Sequence, residues 1–79
     1  MRRTYLDDDD REYVIATKRH LSQLIERRGM AIDDLAYETG IPVTSLRRWL
    51  NPKNSTFMPL PAARRTCRAL GIEISDMLL

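Results

Sequence analysis

Asp33-Asp34-Leu35-Ala36-Tyr37-Glu38-Thr39-Gly40-Ile41-Pro42-Val43-Thr44-Ser45-Leu46-Arg47-Arg48-Trp49-Leu50 reads as two short amphipathic helices around a glycine turn. In the first, Leu35 and Ala36 face inward, while Asp33 and Asp34 fill the opening turn, where the helix dipole favours negative charge. Gly40 can take positive φ in a tight turn, which sets the angle between the two helices. Pro42 suits a first helical position, since its missing N–H would have no partner there. Leu46 and then Trp49 or Leu50 lie three to four residues apart and face the core. Val43, Thr44, Arg47 and Arg48 are left on the opposite side. A short helix with a small, polar and cationic outer face is what the DNA major groove admits and what its base edges can bond to.

Charge around this segment is uneven. No acidic residue occurs between Glu38 and Glu73, and that window holds Arg47, Arg48, Lys53, Arg64, Arg65 and Arg68, six of the chain's 13 basic residues. The formal net charge is only +2, because residues 1–10 contribute two Arg against four Asp. A small total therefore conceals a strongly basic middle, the electrostatic footprint of a polyanion-binding surface.

Working outward, a helix is expected from about Asp8 to Arg28, with Val14, Leu21, Leu24 and Ile25 on its apolar stripe and Lys18 and Arg19 off it. The run Asp7-Asp8-Asp9-Asp10 lacks the alternating ligands and glycine of a calcium loop, and it is read as cap and first-turn charge. Gly29 is its stop. Downstream, Asn51-Pro52 ends the second short helix, and residues 53–59 form a loop whose Phe57 turns inward. A fourth helix follows from about Leu60 or Pro61 to Leu70, with Leu60, Ala63, Cys67 and Leu70 inward. Gly71 closes it, and Ser75 is the expected N-cap of a final helix over residues 76–79. The fold class is thus all-α: a compact five-helix bundle, one domain over residues 1–79, with 1–7 as a flexible arm.

Several function classes drop out. There is one His and one Cys, no glycine-rich phosphate loop, and no Cys or His pair at metal spacing. No enzyme, no cofactor, no metal site and no catalytic residue is expected. The lone Cys67 excludes an intramolecular disulfide and points to a reducing cytoplasm; it is read as a core residue, and His20 as a surface one. No apolar run is long enough for a membrane span, so no membrane partner is expected.

Residues from about 20 to 79 resemble the Cro/CI-type helix-turn-helix domain, the XRE family of phage repressors and small bacterial regulators. The resemblance rests on Leu35-Ala36, Gly40-Ile41, Leu46, Trp49, Asn51, Leu60-Pro61, Ala69-Leu70-Gly71-Ile72 and Ser75-Asp76-Met77-Leu78 in that order. It implies base readout by Val43, Thr44, Arg47 and Arg48, and phosphate contacts by Asn51, Lys53, Asn54 and Ser55. It also implies dimer contacts near Met77, Leu78 and Leu79. Two departures stand out: Ile32 replaces the glutamine many relatives carry, and Thr39 replaces an aliphatic residue before the turn, which suggests looser packing.

The resemblance implies a sequence-specific double-stranded DNA-binding regulator, most like a phage Cro-type repressor acting by operator occlusion in a bacterial host cell. Its expected partner is a palindromic operator, bound by a homodimer that is weak or monomeric when free. Two rivals fit the same residues. An antitoxin would use Tyr13, Ile15 or the apolar C-terminus on a partner protein. An excisionase or MerR-type protein would follow Thr44-Ser45-Leu46-Arg47-Arg48-Trp49 with a winged hairpin. Arg2-Arg3 is a candidate minor-groove arm, and Arg64, Arg65 and Arg68 are candidates for flanking phosphate.

Overall fold

A computed structural model of the protein describes residues 7–79. They form five helices: α1 (Asp8–Arg27), α2 (Ile32–Thr39), α3 (Val43–Leu50), α4 (Leu60–Leu70) and α5 (Ile74–Met77). No strand occurs among the described residues, so the winged-hairpin rival loses its hairpin, and residues 60–79 are helical as expected. The arm reading of Arg2-Arg3 falls outside the described residues. Asp7 does not belong to an arm; it is the N-cap of α1.

The helix starts divide into two kinds. At α1, Asp7 Oδ1 accepts from the Asp10 amide at 2.8 Å and Asp10 Oδ2 accepts from the Asp7 amide at 3.3 Å, a reciprocal capping box. This accounts for the aspartate run without a cation. At α2, Asp34 accepts from the Ala31 amide at 3.0 Å, and at α5, Asp76 accepts from the Glu73 amide at 3.0 Å. That last bond starts α5 earlier than expected: the box runs from Glu73 to Asp76, so Ser75 lies inside the helix and is not its cap. In contrast, α3 and α4 begin after Pro42 and Pro59, with no side-chain cap and no acid in the first turn.

The turn between α2 and α3 depends on Gly40, which sits at φ 75° and donates its amide to Ala36 O at 2.9 Å. A Cβ there would meet only the end of the Arg65 side chain, at 3.7 Å, so crowding is not the constraint. The left-handed conformation is. Gly40→Ala should cost about 1 kcal/mol in urea-induced unfolding, with a loss indistinguishable from zero counting against this account of the turn. Thr39 does not loosen the junction. It is buried, its hydroxyl donates to Leu35 O at 2.7 Å, and it accepts from the Ile41 amide at 3.2 Å.

α2 packs on α3 and α4, α1 packs on α3 and α5, and α4 packs on α5. The core between them holds Leu21, Ile25, Leu35, Ile41, Leu46, Leu50, Met58, Ala63, Cys67, Leu70 and Met77. On α3, Leu46 and Leu50 are buried, while Trp49 is half-buried against the core. Leu60 corrects the helical-wheel reading, being 73% exposed. The loop residue Met58 occupies the space instead, buried with its sulfur 3.8 Å from Thr66 Oγ1. Lys18 is a larger correction. Expected in solvent, it has 0% exposure and is one of the largest fully buried side chains.

Candidate nucleic-acid interface

α3 owes its orientation to the core residues on its back, Leu46 and Leu50, which fix which side faces outward. On that side Thr44, Arg47 and Arg48 are exposed and Val43 is half-buried, so the four sequence-predicted base readers share one helix face. The Arg48 guanidinium lies 5.9 Å from the centroid of the Trp49 ring. Arg47 Nη2 lies 3.6 Å from Asp33 Oδ1, joining the first turn of α2 to the outer face of α3.

Beyond α3, the loop that carries the four expected phosphate ligands is organised from beneath by Lys18. Its Nζ donates to Asn51 O at 2.8 Å, to Asn54 O at 2.7 Å and to Asn54 Oδ1 at 2.7 Å. An ammonium has three protons, so the donor set is used completely. Asn54 Nδ2 in turn donates to Arg48 O at 3.2 Å, and Asn54 Oδ1 also accepts from the Thr56 amide at 3.0 Å. The buried cation thus sits under the negative end of α3 and ties helix exit to loop. Burial pushes the Lys18 pKa below the ordinary lysine value.

This network separates the four loop residues. Asn54 spends both ends of its amide inside the loop and is a structural residue. Asn51 is exposed and accepts from the Lys53 amide at 3.0 Å through Oδ1, and among the described residues its NH₂ has no hydrogen-bond partner. Lys53 is exposed and Ser55 half-buried. Sequence reasoning missed Lys18, although a signal was present: Val14, Lys18, Leu21 and Ile25 follow one another at four, three and four residues, a single inward stripe.

The other basic group splits as well. Arg65 Nη1 donates to Thr39 O at 3.2 Å and so satisfies the C-terminal end of α2. Arg64 and Arg68 are exposed, and Arg65, Arg68 and Glu38 line one shallow recess. Cys67 is buried, and burial, then Asp76 and Glu73, push its thiol pKa up, away from nucleophilic reactivity. His20 Nε2 lies 2.8 Å from Asp76 O, joining α1 to α5.

At the C-terminal end the expected dimer contacts part company. Met77 is 1% exposed and belongs to the core, so it cannot also face a second copy. Leu78 (43%) and Leu79 (58%) remain exposed, and Tyr13 donates to Leu79 O at 2.9 Å, drawing α1 into the same apolar patch. Among the described residues no group of His, Cys, Asp and Glu is arranged to hold a metal ion, and no helix is long and apolar enough to cross a membrane.

Residues 20–78 match a family described as the Cro/C1-type HTH DNA-binding domain, a span that takes in all of α2 to α5 and the C-terminal part of α1 from residue 20. No curated protein and no solved structure gives a match to the chain.

Proposed function

This chain belongs to the Cro/C1-type helix-turn-helix DNA-binding family, and on that premise we propose that it is a phage Cro-type repressor that silences a promoter by occupying its operator. Sequence-specific DNA binding and transcription regulation come with the family. The observation that carries the finer reading is the outer face of α3: exposed Thr44, Arg47 and Arg48 on a helix uncapped by any acid, in a window free of carboxylates from residue 39 to 72. In the groove, the arginines take guanine O6 and N7, and Val43 with the Thr44 methyl packs on thymine methyls. Asn51, Lys53 and Ser55 hold the adjoining phosphate strand and set register, with Asn54 shaping the loop beneath them.

Leu78, Leu79 and Tyr13 support a two-fold contact, and hence a palindromic operator bound by a homodimer that forms chiefly on DNA. The same patch is what an antitoxin would present to a partner protein. One experiment separates the readings. Bound duplexes are selected from a random-sequence pool at moderate salt, and a two-fold symmetric consensus is expected. A consensus without symmetry refutes the dimer, and salt-sensitive retention without any enrichment refutes operator binding in favour of a protein partner. Binding should weaken steeply with salt, by about 0.9 in log K per log unit of salt for each phosphate neutralised, with ~5 per subunit.

A further inference from the structure

Asp33 is an acid where the helix dipole favours one, yet it stands beside the helix face expected to meet DNA. It lies in the first turn of α2, and its carboxylate reaches across to within 3.6 Å of Arg47 on the outer face of α3. A protein that binds a polyanion gains attraction by having no acid there, and the whole stretch from 39 to 72 obeys that rule. Both side chains are exposed, so the pair adds little to folding stability. Capping does not explain it either, because Asp34 is the residue that accepts the Ala31 amide. The approach to Arg47 is an ion pair beyond hydrogen-bond distance, and Asp33 has no hydrogen-bond partner among the described residues. What its position does provide is a carboxylate beside one edge of the Arg47 guanidinium.

We propose that Asp33 is a specificity-determining residue acting through Arg47. Arginine has five N–H donors in a planar fork, and a bidentate bond to guanine uses only two of them. A carboxylate on another edge of the fork restricts the side chain to rotamers that present the remaining donors squarely to the groove. It thereby removes in advance part of the ordering cost that binding would otherwise carry. The same charge repels a phosphate that would bind Arg47 in any sequence, so non-specific complexes are weakened while the guanine complex is kept. Discrimination by this route combines an attractive and a repulsive element. The inference rests on Arg47 reading a base, as proposed above.

The test compares Asp33→Asn, Arg47→Ala, the double variant and Glu38→Gln. Glu38→Gln removes one charge from an exposed acid of the same helix, in the recess lined by Arg65 and Arg68 of α4. Affinity is measured for the duplex consensus selected from the random pool, for single-base variants of it, and for a mixed-sequence duplex. Asp33→Asn should lower the ratio of specific to non-specific affinity about tenfold, with the loss concentrated at the base pair that Arg47→Ala affects. In the Arg47→Ala background the same change should leave the ratio unaltered, the signature of two residues acting as a unit. Glu38→Gln should raise affinity for every duplex alike.

Three results would overturn the proposal. If Asp33→Asn behaves as Glu38→Gln does, its charge is merely part of the general field. If it changes preference at a base pair even without Arg47, Asp33 touches that base directly. If Arg47→Ala leaves preference at every position intact, Arg47 is not a base reader, and the premise falls together with the inference.

Discussion

Replacing Lys18 with Met is expected to lower the unfolding free energy by about 3 kcal/mol, a larger loss than that expected for Gly40→Ala. The methionine fills a similar volume, so the loss does not come from a cavity. It comes from Asn51 O, Asn54 O and Asn54 Oδ1, three acceptors that Lys18 Nζ satisfies at 2.7–2.8 Å. For a domain of this size that corresponds to a fall in midpoint of roughly 12–24 °C by thermal unfolding. A loss below about 1 kcal/mol would show that water or a rearranged loop replaces the ammonium without penalty.

The variant also carries a pH signature. Burial lowers the Lys18 pKa, so the folded chain releases this proton at a lower pH than the unfolded chain does. Between the folded value and the unfolded value of about 10.4, the unfolded state holds the extra proton. Wild-type stability therefore rises with pH across that window, while Lys18→Met shows no such rise and the gap between them widens. A gap that narrowed as the pH was raised toward the unfolded value would contradict a pKa set by burial. On DNA, the variant should lose affinity for all duplexes alike, because the proposed role of the loop is to set register on phosphate and not to read bases.

The double variant Arg47→Ala/Arg48→Ala is expected to reduce affinity for the selected consensus on the order of a hundredfold or more, taking each guanine contact at about 1–3 kcal/mol. Its fold should be intact. Both side chains are exposed, and among the described residues the only attachments they make are the loose pair with Asp33 and the approach of Arg48 to Trp49. Affinity for mixed-sequence DNA should fall much less, since Lys53 and the rest of the basic window remain. Equal losses on consensus and mixed-sequence duplexes, measured at one salt concentration, would assign both arginines to phosphate.

How far the sequence could be read depended on how local the physics was. The helix-turn-helix was legible because Gly40, Pro42 and the three- and four-residue spacing of Leu46, Trp49 and Leu50 act within one or two turns. The aspartate run was legible as cap and first-turn charge for the same reason, though the reciprocal box that holds Asp7 in the helix was not. Lys18 was not, because its partners lie 33 and 36 residues away in a loop with no periodicity. Its charge argued for solvent while its position argued for the core, and position decided. Leu60 failed in the opposite sense. It sits on the inward line with Ala63, Cys67 and Leu70, but it is the first residue of α4, and the irregular chain before it delivers Met58 to that place. The pairing of Asp33 with Arg47 depends on the angle between two helices, which no pattern in either one states.

The distribution of helix caps has a consequence for how the domain divides its duties. Carboxylates close the starts of α1, α2 and α5, while α3 and α4 begin bare. A carboxylate in the first turn contributes about 0.3–1 kcal/mol, so the two open starts leave about 1–2 kcal/mol unclaimed in a small protein. An acid at the head of α3 would recover its share and would set a negative charge beside the face proposed to meet DNA. The domain is therefore less stable than its own chemistry would permit, and the deficit lies in the helices that carry its basic face. Selection for thermal robustness alone would be expected to introduce acidic caps there first, and DNA affinity would be the property lost.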